Sequence, residues 1–184
     1  MTQTIENQLV TAHGRAFRMM ISKEEIAAKV AEIGAEITEK YAGKKPLLLS
    51  ILNGAFMFAA DLSRAIDTDL ELTFIKLASY KGTGSTGKVE TVLGLDMDLT
   101  DRHIIIVEDI IDTGLTLHNF LKALEKESPA SVSLCTCFFK KEALQYPLSI
   151  DYVGFEFTNK FIIGYGLDYD GLGRNLPAVY QLNE

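Results

Sequence analysis

No stretch of this sequence reaches the roughly 18 consecutive apolar residues that a membrane-spanning helix requires, so no transmembrane segment is expected. Basic charge is in the minority, with 18 Lys and Arg against 25 Asp and Glu and a formal net charge of -7. A nucleic-acid partner is therefore not expected. Cysteine is scarce as well. The only two, Cys135 and Cys137, lie two apart in SVSLCTCFF, where strand alternation puts both on one face and leaves poor geometry for a mutual disulfide. That favours two buried reduced thiols over a metal or redox pair. The opening MTQTIENQLV lacks the basic start and apolar run of a signal peptide, so a cytoplasmic protein is expected. Internal repeats, low-complexity tracts and linkers are also missing, which leaves one domain spanning residues 1–184. A G-x-S-x-G elbow and a Cys–His candidate pair are absent too, which argues against a covalent nucleophile.

What is present is an ordinary globular balance, 47% hydrophobic and 23% charged over 184 residues, enough to bury a substantial core. Ser22 and Glu25 have capping-box spacing ahead of IAAKVAEIGAEI, whose apolar residues recur at helical intervals. PLLLSIL (46–52) reads as a short buried strand broken by Asn53-Gly54, and AFMFAADLSRAI (55–66) as a second helix. ELTFIKLASY (71–80) and KVETVLGL (88–95) have strand character, followed by IIIV (104–107), a helix from about Leu115 to Lys126, and strands in ASVSLCTCFF (130–139) and DYVGFEF (151–157). The final third is turn-rich with short extended pieces. Strand and helix alternate through the middle, which predicts an α/β fold with a mainly parallel central sheet flanked by helices.

Gly82 to Gly87, GTGSTG, matches G-x-G-x-x-G by letter. The dinucleotide fingerprint requires a helix to open at the third glycine. Here Lys88 to Leu93 alternate and are β-branched, so the flanking segments read as an antiparallel pair. The loop between them reads as a flexible lid.

The most informative stretch is IIIVEDIIDTGLTL, residues 104–117. Ile104 to Val107 read as a fully buried parallel strand. Four acids flank it, Asp101 upstream and Glu108, Asp109 and Asp112 downstream, and acids beside such a strand are costly unless a cation or polar ligand pairs with them. In an open α/β sheet, ligands gather outside the carboxyl ends of strands. Thr113, Gly114, Leu115 and Thr116 lie where the chain turns into a helix. Free N–H groups, the positive end of the helix dipole and two hydroxyls there suit a phosphate, and Gly114 permits close backbone approach. The preceding carboxylates suit hydroxyls or Mg²⁺. A phosphorylated sugar matches both halves. Helix capping by Asp112 and Thr113 alone would leave Glu108 and Asp109 unexplained.

VEDIIDTGLT is similar to the phosphoribosyl-pyrophosphate (PRPP) motif of type I phosphoribosyltransferases. ILNGAFMFAADL, LASYKG, CFFKK, DYVGFEFTNKFIIGYGLDYD and GRNLP extend the resemblance from about residue 15 to 180, toward the hypoxanthine-guanine phosphoribosyltransferases in particular. The resemblance implies the type I fold, with a small hood region and a flexible loop, and a purine-salvage transferase using PRPP, a 6-oxopurine and Mg²⁺. It further implies a homodimer or homotetramer. A xanthine-preferring transferase and a PRPP-sensing regulator of the same fold are the alternatives.

Position by position, the resemblance assigns Glu108 and Asp109 to the ribose hydroxyls, directly or through Mg²⁺, and Asp112 to the purine N7 as general base. Asp112, Thr113, Gly114, Leu115 and Thr116 are assigned to the 5′-phosphate end, with Leu115 standing where some members carry lysine. Leu52, Asn53 and Gly54 match the pyrophosphate loop, where the family has a non-proline cis peptide. Many relatives have lysine in place of Asn53, so backbone donors would serve instead. Ser79 and Tyr80 match the mobile loop. Lys140 corresponds to the donor to the purine 6-oxo group, Phe161 to the stacking aromatic, and Ile162 to a backbone contact at the exocyclic edge. Asp168 matches a ligand of a second Mg²⁺ on pyrophosphate and is also assigned to the purine pocket, and Arg174 matches a pyrophosphate-contacting arginine.

Overall fold

The apolar runs form the interior strands of a sheet whose two faces are both covered. The computed structural model describes residues 9–79, 89–93, 97–158 and 160–183. In chain order the elements are β1 (Leu9–Ala12), β2 (Arg15–Ile21), α1 (Lys23–Lys40), β3 (Leu47–Ile51), α2 (Phe56–Ala65), β4 (Glu71–Ser79), β5 (Val89–Leu93) and β6 (His103–Ile111). They continue with α3 (Leu115–Leu124), β7 (Ser131–Phe139), β8 (Tyr152–Glu156), β9 (Ile162–Ile163) and β10 (Val179–Leu182).

The main sheet has the order β5-β4-β3-β6-β7-β8. β4, β3, β6, β7 and β8 are parallel, and β5 pairs antiparallel with β4 as the alternation of its residues predicts. Continuous apolar sequence is needed because successive side chains enter different layers. Leu47, Leu49, Ile104 and Ile106 pack with Leu117, Phe120 and Leu124 of α3. Leu48, Ile105 and Val107 pack with Ile26, Val30 and Ile33 of α1 and Phe58 and Leu62 of α2. Cys135 and Cys137 share this second layer as free, buried thiols, and burial pushes both well above the usual thiol range.

The smaller antiparallel sheet, β1-β2-β10-β9, forms a hood with its own core of Phe17, Ile163, Ala178 and Tyr180. The β1–β2 hairpin is not anticipated by the sequence reading. Its signal is the two-residue turn His13-Gly14, with φ of 47° and 74° between the paired Ala12 and Arg15, the positive-φ geometry that suits hairpin twist.

Three further differences bear on the site. β6 does not end at Val107 but runs to Ile111, with Glu108 paired to Thr136 and Ile111 to Phe139, so the acid pair lies within the strand. Asp101 precedes the opposite end of β6, exposed, and is not part of the same cluster. The helix predicted to Lys126 stops at Leu124 and tightens into a 3₁₀ turn over Glu125–Glu127. Among the described residues, no helix is long and apolar enough to cross a membrane.

α1 starts where predicted. The Ser22 hydroxyl accepts from the Glu25 N–H at 3.2 Å, and the Glu25 carboxylate accepts from the Ser22 N–H at 2.8 Å. Ser22→Ala should therefore cost about 1 kcal/mol of folding stability, read as a lowered urea midpoint with an unchanged m-value.

Candidate active site

The sheet has one switch point. From β3 the chain passes through α2 to β4 on one side, while β6 passes through α3 to β7 on the other. The loops leaving β3 and β6 diverge to opposite faces and open a crevice at the carboxyl ends of the strands. A cleft of about 530 Å³ occupies this position.

The loop after β3 forms one wall. The Leu52-Asn53 peptide is cis, as the family resemblance implies. Gly54 is buried, and a Cβ there would coincide with a carboxylate oxygen of Asp109. On its other side a Cβ at Gly166, which has φ of 98°, would fall on the Gly54 carbonyl oxygen. Three chain segments thus meet with no room for a side chain at either glycine.

Glu108 and Asp109 form the floor. The Asp109 carboxylate accepts from the Ile110 N–H at 2.7 Å, whereas Glu108 Oε2 is sealed from solvent without a hydrogen-bond partner. Burial pushes the Glu108 carboxyl well above the usual range, and the neighbouring Asp109 charge pushes it further. Burial also raises Asp109, partly offset by hydrogen bonding to Glu108, by the Ile110 N–H and by the positive charge of Arg174. Such a pair ionises readily only when a cation or hydroxyl donors face it.

The turn into α3 forms a second wall. Gly114 caps the helix with φ of 80°, a left-handed conformation that favours glycine. A Cβ there would also lie 2.9 Å from Leu144 and 3.0 Å from Leu148. Thr113, Leu115 and Thr116 line the cleft around it, and the first-turn N–H groups of α3 lack carbonyl partners within the helix. The Thr113 carbonyl accepts from the Gln145 and Tyr146 N–H groups at 3.0 and 3.2 Å, so the turn is braced from behind.

Lys140, at the end of β7, and Asp112, just past β6, stand 3.6 Å apart as an ion pair, the lysine side chain only 12% exposed and the aspartate 53%. Phe161 is 45% exposed and, with Ile162, lines the cleft from the hood side. Arg174 binds Asp168 at 2.7 Å and donates to the Gly166 carbonyl at 2.6 Å, while the Gly171 N–H holds the other Asp168 oxygen at 2.7 Å. The structure therefore brings Leu52, Asn53 and Gly54, the acids Glu108, Asp109 and Asp112, the Thr113 to Thr116 turn, Lys140, Phe161, Ile162, Asp168 and Arg174 into one cleft. Ser79 ends β4, but its side chain, Tyr80 and the 82–87 segment lie outside the described residues.

Sequence reasoning missed several contributors. Ile110, Ile111, Leu77 and Leu167 line the cleft, and Tyr169 meets Phe161 edge-on at 5.4 Å. Gly166 was missed too, although its spacing from Gly164 in FIIGYGLDYDG is a visible sign of unusual backbone.

A glycine-capped turn into a helix beside a half-buried acid pair, at the switch point of a parallel sheet with a hood, matches the type I phosphoribosyltransferase fold. The chain belongs to the phosphoribosyl transferase family, whose domain model matches residues 20–170, and it is a phosphoribosyltransferase. It is 38% identical over 173 residues to the hypoxanthine-guanine phosphoribosyltransferase of Aquifex aeolicus, spanning 93% of this chain and 97% of that one. It is 41% identical over 170 residues to the hypoxanthine-guanine-xanthine phosphoribosyltransferase of Tritrichomonas foetus, spanning 91% and 92% of the two chains. The solved hypoxanthine phosphoribosyltransferase of Staphylococcus aureus superposes with a TM-score of 0.85 at 35% identity, covering 90% of each chain.

Two outcomes follow from the floor of the cleft. Gly54→Ala must displace the Asp109 carboxylate; PRPP turnover should fall by about 10²-fold, with circular dichroism showing the fold retained. The second concerns pH. Below the ordinary glutamate value of about 4.3, folded and unfolded chains both hold the Glu108 proton. Above it the unfolded chain ionises first, so stability falls as pH rises toward the raised folded value. Glu108→Gln should therefore raise the Tm of ligand-free protein in EDTA, by more at pH 8 than at pH 5. Equal shifts at both pH values would contradict the burial penalty.

Proposed function

We propose that the enzyme transfers 5-phosphoribose from PRPP to N9 of hypoxanthine or guanine, releasing pyrophosphate, as a purine-salvage reaction of the cytoplasm. One observation carries the base assignment. Lys140 and Asp112 face one cleft 3.6 Å apart, a donor and an acceptor side by side, and the adjacent N7 and O6 of a 6-oxopurine form one edge of the ring. Lys140 donates to O6. Asp112 accepts the N7 proton, which leaves the N9 electron pair free to attack C1′. The N9–C1′ bond forms as the bond from C1′ to pyrophosphate breaks, and the ring oxygen shares the positive charge that develops. Phe161 stacks on the base, and the Ile162 backbone meets its exocyclic edge.

The 5′-phosphate takes the first-turn N–H groups of α3 with the Thr113 and Thr116 hydroxyls. The diphosphate lies against the Asn53 and Gly54 backbone and Arg174, whose planar fork pairs two oxygens at once. Glu108 and Asp109 hold the ribose hydroxyls and favour the developing cation. These two acids also fit Mg²⁺. Their oxygens are hard donors, and Glu108 Oε2 is sealed without a partner. Mg²⁺ would complete its shell with substrate phosphates and water. Asp168 could contribute on the diphosphate side. Mg²⁺, when bound, neutralises charge on the departing pyrophosphate.

The test is nucleotide formation from PRPP with a panel of purines, with and without EDTA. Hypoxanthine and guanine should react only with metal present, and adenine, whose 6-amino group meets Lys140 donor to donor, should be rejected. Sites that demand such a hydrogen bond discriminate by up to about 10⁴-fold. Lys140→Ala should damage hypoxanthine and guanine use and narrow the gap to adenine. Wild-type use of adenine as readily as hypoxanthine, or full turnover in EDTA, would overturn the assignment.

A further inference from the structure

We infer that Tyr165 and Asp61 form a latch that fixes the loop at Gly54 for the diphosphate of PRPP, making Tyr165 a positioning residue. The inference rests on the diphosphate assignment above. Tyr165 lies in the tail segment between β9 and β10, 3% exposed, with φ of 48°. A non-glycine residue seldom adopts that left-handed conformation unless its surroundings demand it. Its backbone is fixed on the tail side, with its N–H on the Leu176 carbonyl at 2.8 Å and the Gly164 and Leu167 backbones bonded to each other at 3.0 Å in both directions.

The Tyr165 side chain reaches out of the tail. Its hydroxyl donates to Asp61 Oδ2 at 2.7 Å, across 104 residues of chain. Asp61 stands on α2, the helix that the Gly54 loop runs directly into, and its other oxygen is held by Arg64 one turn on. The next tail residue, Gly166, presses its backbone on the Gly54 carbonyl and is tied to Arg174 twice, through its N–H and its carbonyl. Consecutive tail residues therefore grip one loop-and-helix unit at two points, Tyr165 on the helix and Gly166 on the loop. The backbone contact is only a close approach, so the half-buried hydrogen bond supplies its direction and register.

The base side is anchored separately. The Phe161 carbonyl accepts from Leu182 at 2.9 Å, β9 pairs with β10, and Lys140 stands at the end of β7. Releasing the latch should therefore weaken the diphosphate end and spare the purine end, a split that a general loss of packing would not produce.

The test compares wild type with Tyr165→Phe, Asp61→Ala and Asp61→Asn. Kinetics give KM for PRPP and for hypoxanthine, and calorimetry gives the Kd of pyrophosphate with Mg²⁺. Tyr165→Phe should raise the PRPP KM and the pyrophosphate Kd about fivefold to tenfold and leave the hypoxanthine KM unchanged. Asp61→Ala should reproduce that pattern, the double variant should be no worse than either single one, and Asp61→Asn, which keeps an oxygen acceptor, should restore wild-type values. If Tyr165→Phe does not fold, Asp61→Ala against Asp61→Asn carries the same comparison. Pyrophosphate Kd and PRPP KM unmoved in these variants, or both substrates' KM values moved together, would overturn the latch and leave a purely structural hydrogen bond. Absence of nucleotide formation by the wild-type enzyme would overturn the substrate assignment instead.

Discussion

The site depends on one steric constraint, the exclusion of any side chain at Gly54. The Asp109 carboxylate lies where a Cβ would be on one side, and Gly166 brings its backbone against the Gly54 carbonyl on the other. β3, β6 and the tail are distant in sequence, and this close approach fixes their relative depth. Through Gly166 it also fixes Arg174, and through Arg174 it fixes Asp168. The cleft is therefore closely packed where the three segments meet, with a carboxylate on one side of Gly54 and backbone on the other.

Electrostatics adds a second constraint. Placing Glu108 and Asp109 within a buried strand raises both carboxyls, so the ligand-free site holds its negative charge at a cost. A ligand that brings hydroxyl donors or a divalent cation relieves that cost, which makes the pair selective for what it binds. Arg174 supplies part of the compensation from the tail. Lys140 stands in a different setting. It is nearly enclosed and set beside an exposed acid, which is consistent with the proposed contact to a base that carries an acceptor on one edge.

The run at Ile104 to Val107 was legible as a buried strand because its residues are β-branched and both alternating faces are apolar. The Ser22–Glu25 box marked the start of α1 because its hydrogen bonds are local, and the DTGLT turn was legible for the same reason, its glycine and hydroxyls acting on neighbouring N–H groups. The extent of β6 was not legible. Pairing with β7 carries the strand through Glu108 and Asp109, against the low strand preference of acids, because neighbouring backbones supply the hydrogen bonds. The hairpin of β1 and β2 was missed because its strands are short and its partner, β10, is at the far end of the chain.

Residue order alone made the layered α/β class, the glycine turn into α3 and the acids beside it legible, because they follow from local periodicity, capping and turn chemistry. It also carried the family resemblance that assigned Lys140, Phe161 and Arg174 their roles. That these residues share one cleft, that Asp101 does not, and that Asp61 and Tyr165 join helix to tail emerged only in the folded chain. Those are contacts between segments far apart along the chain. Chain closure and backbone fit determine them, and neither leaves a periodic trace in the residues that meet.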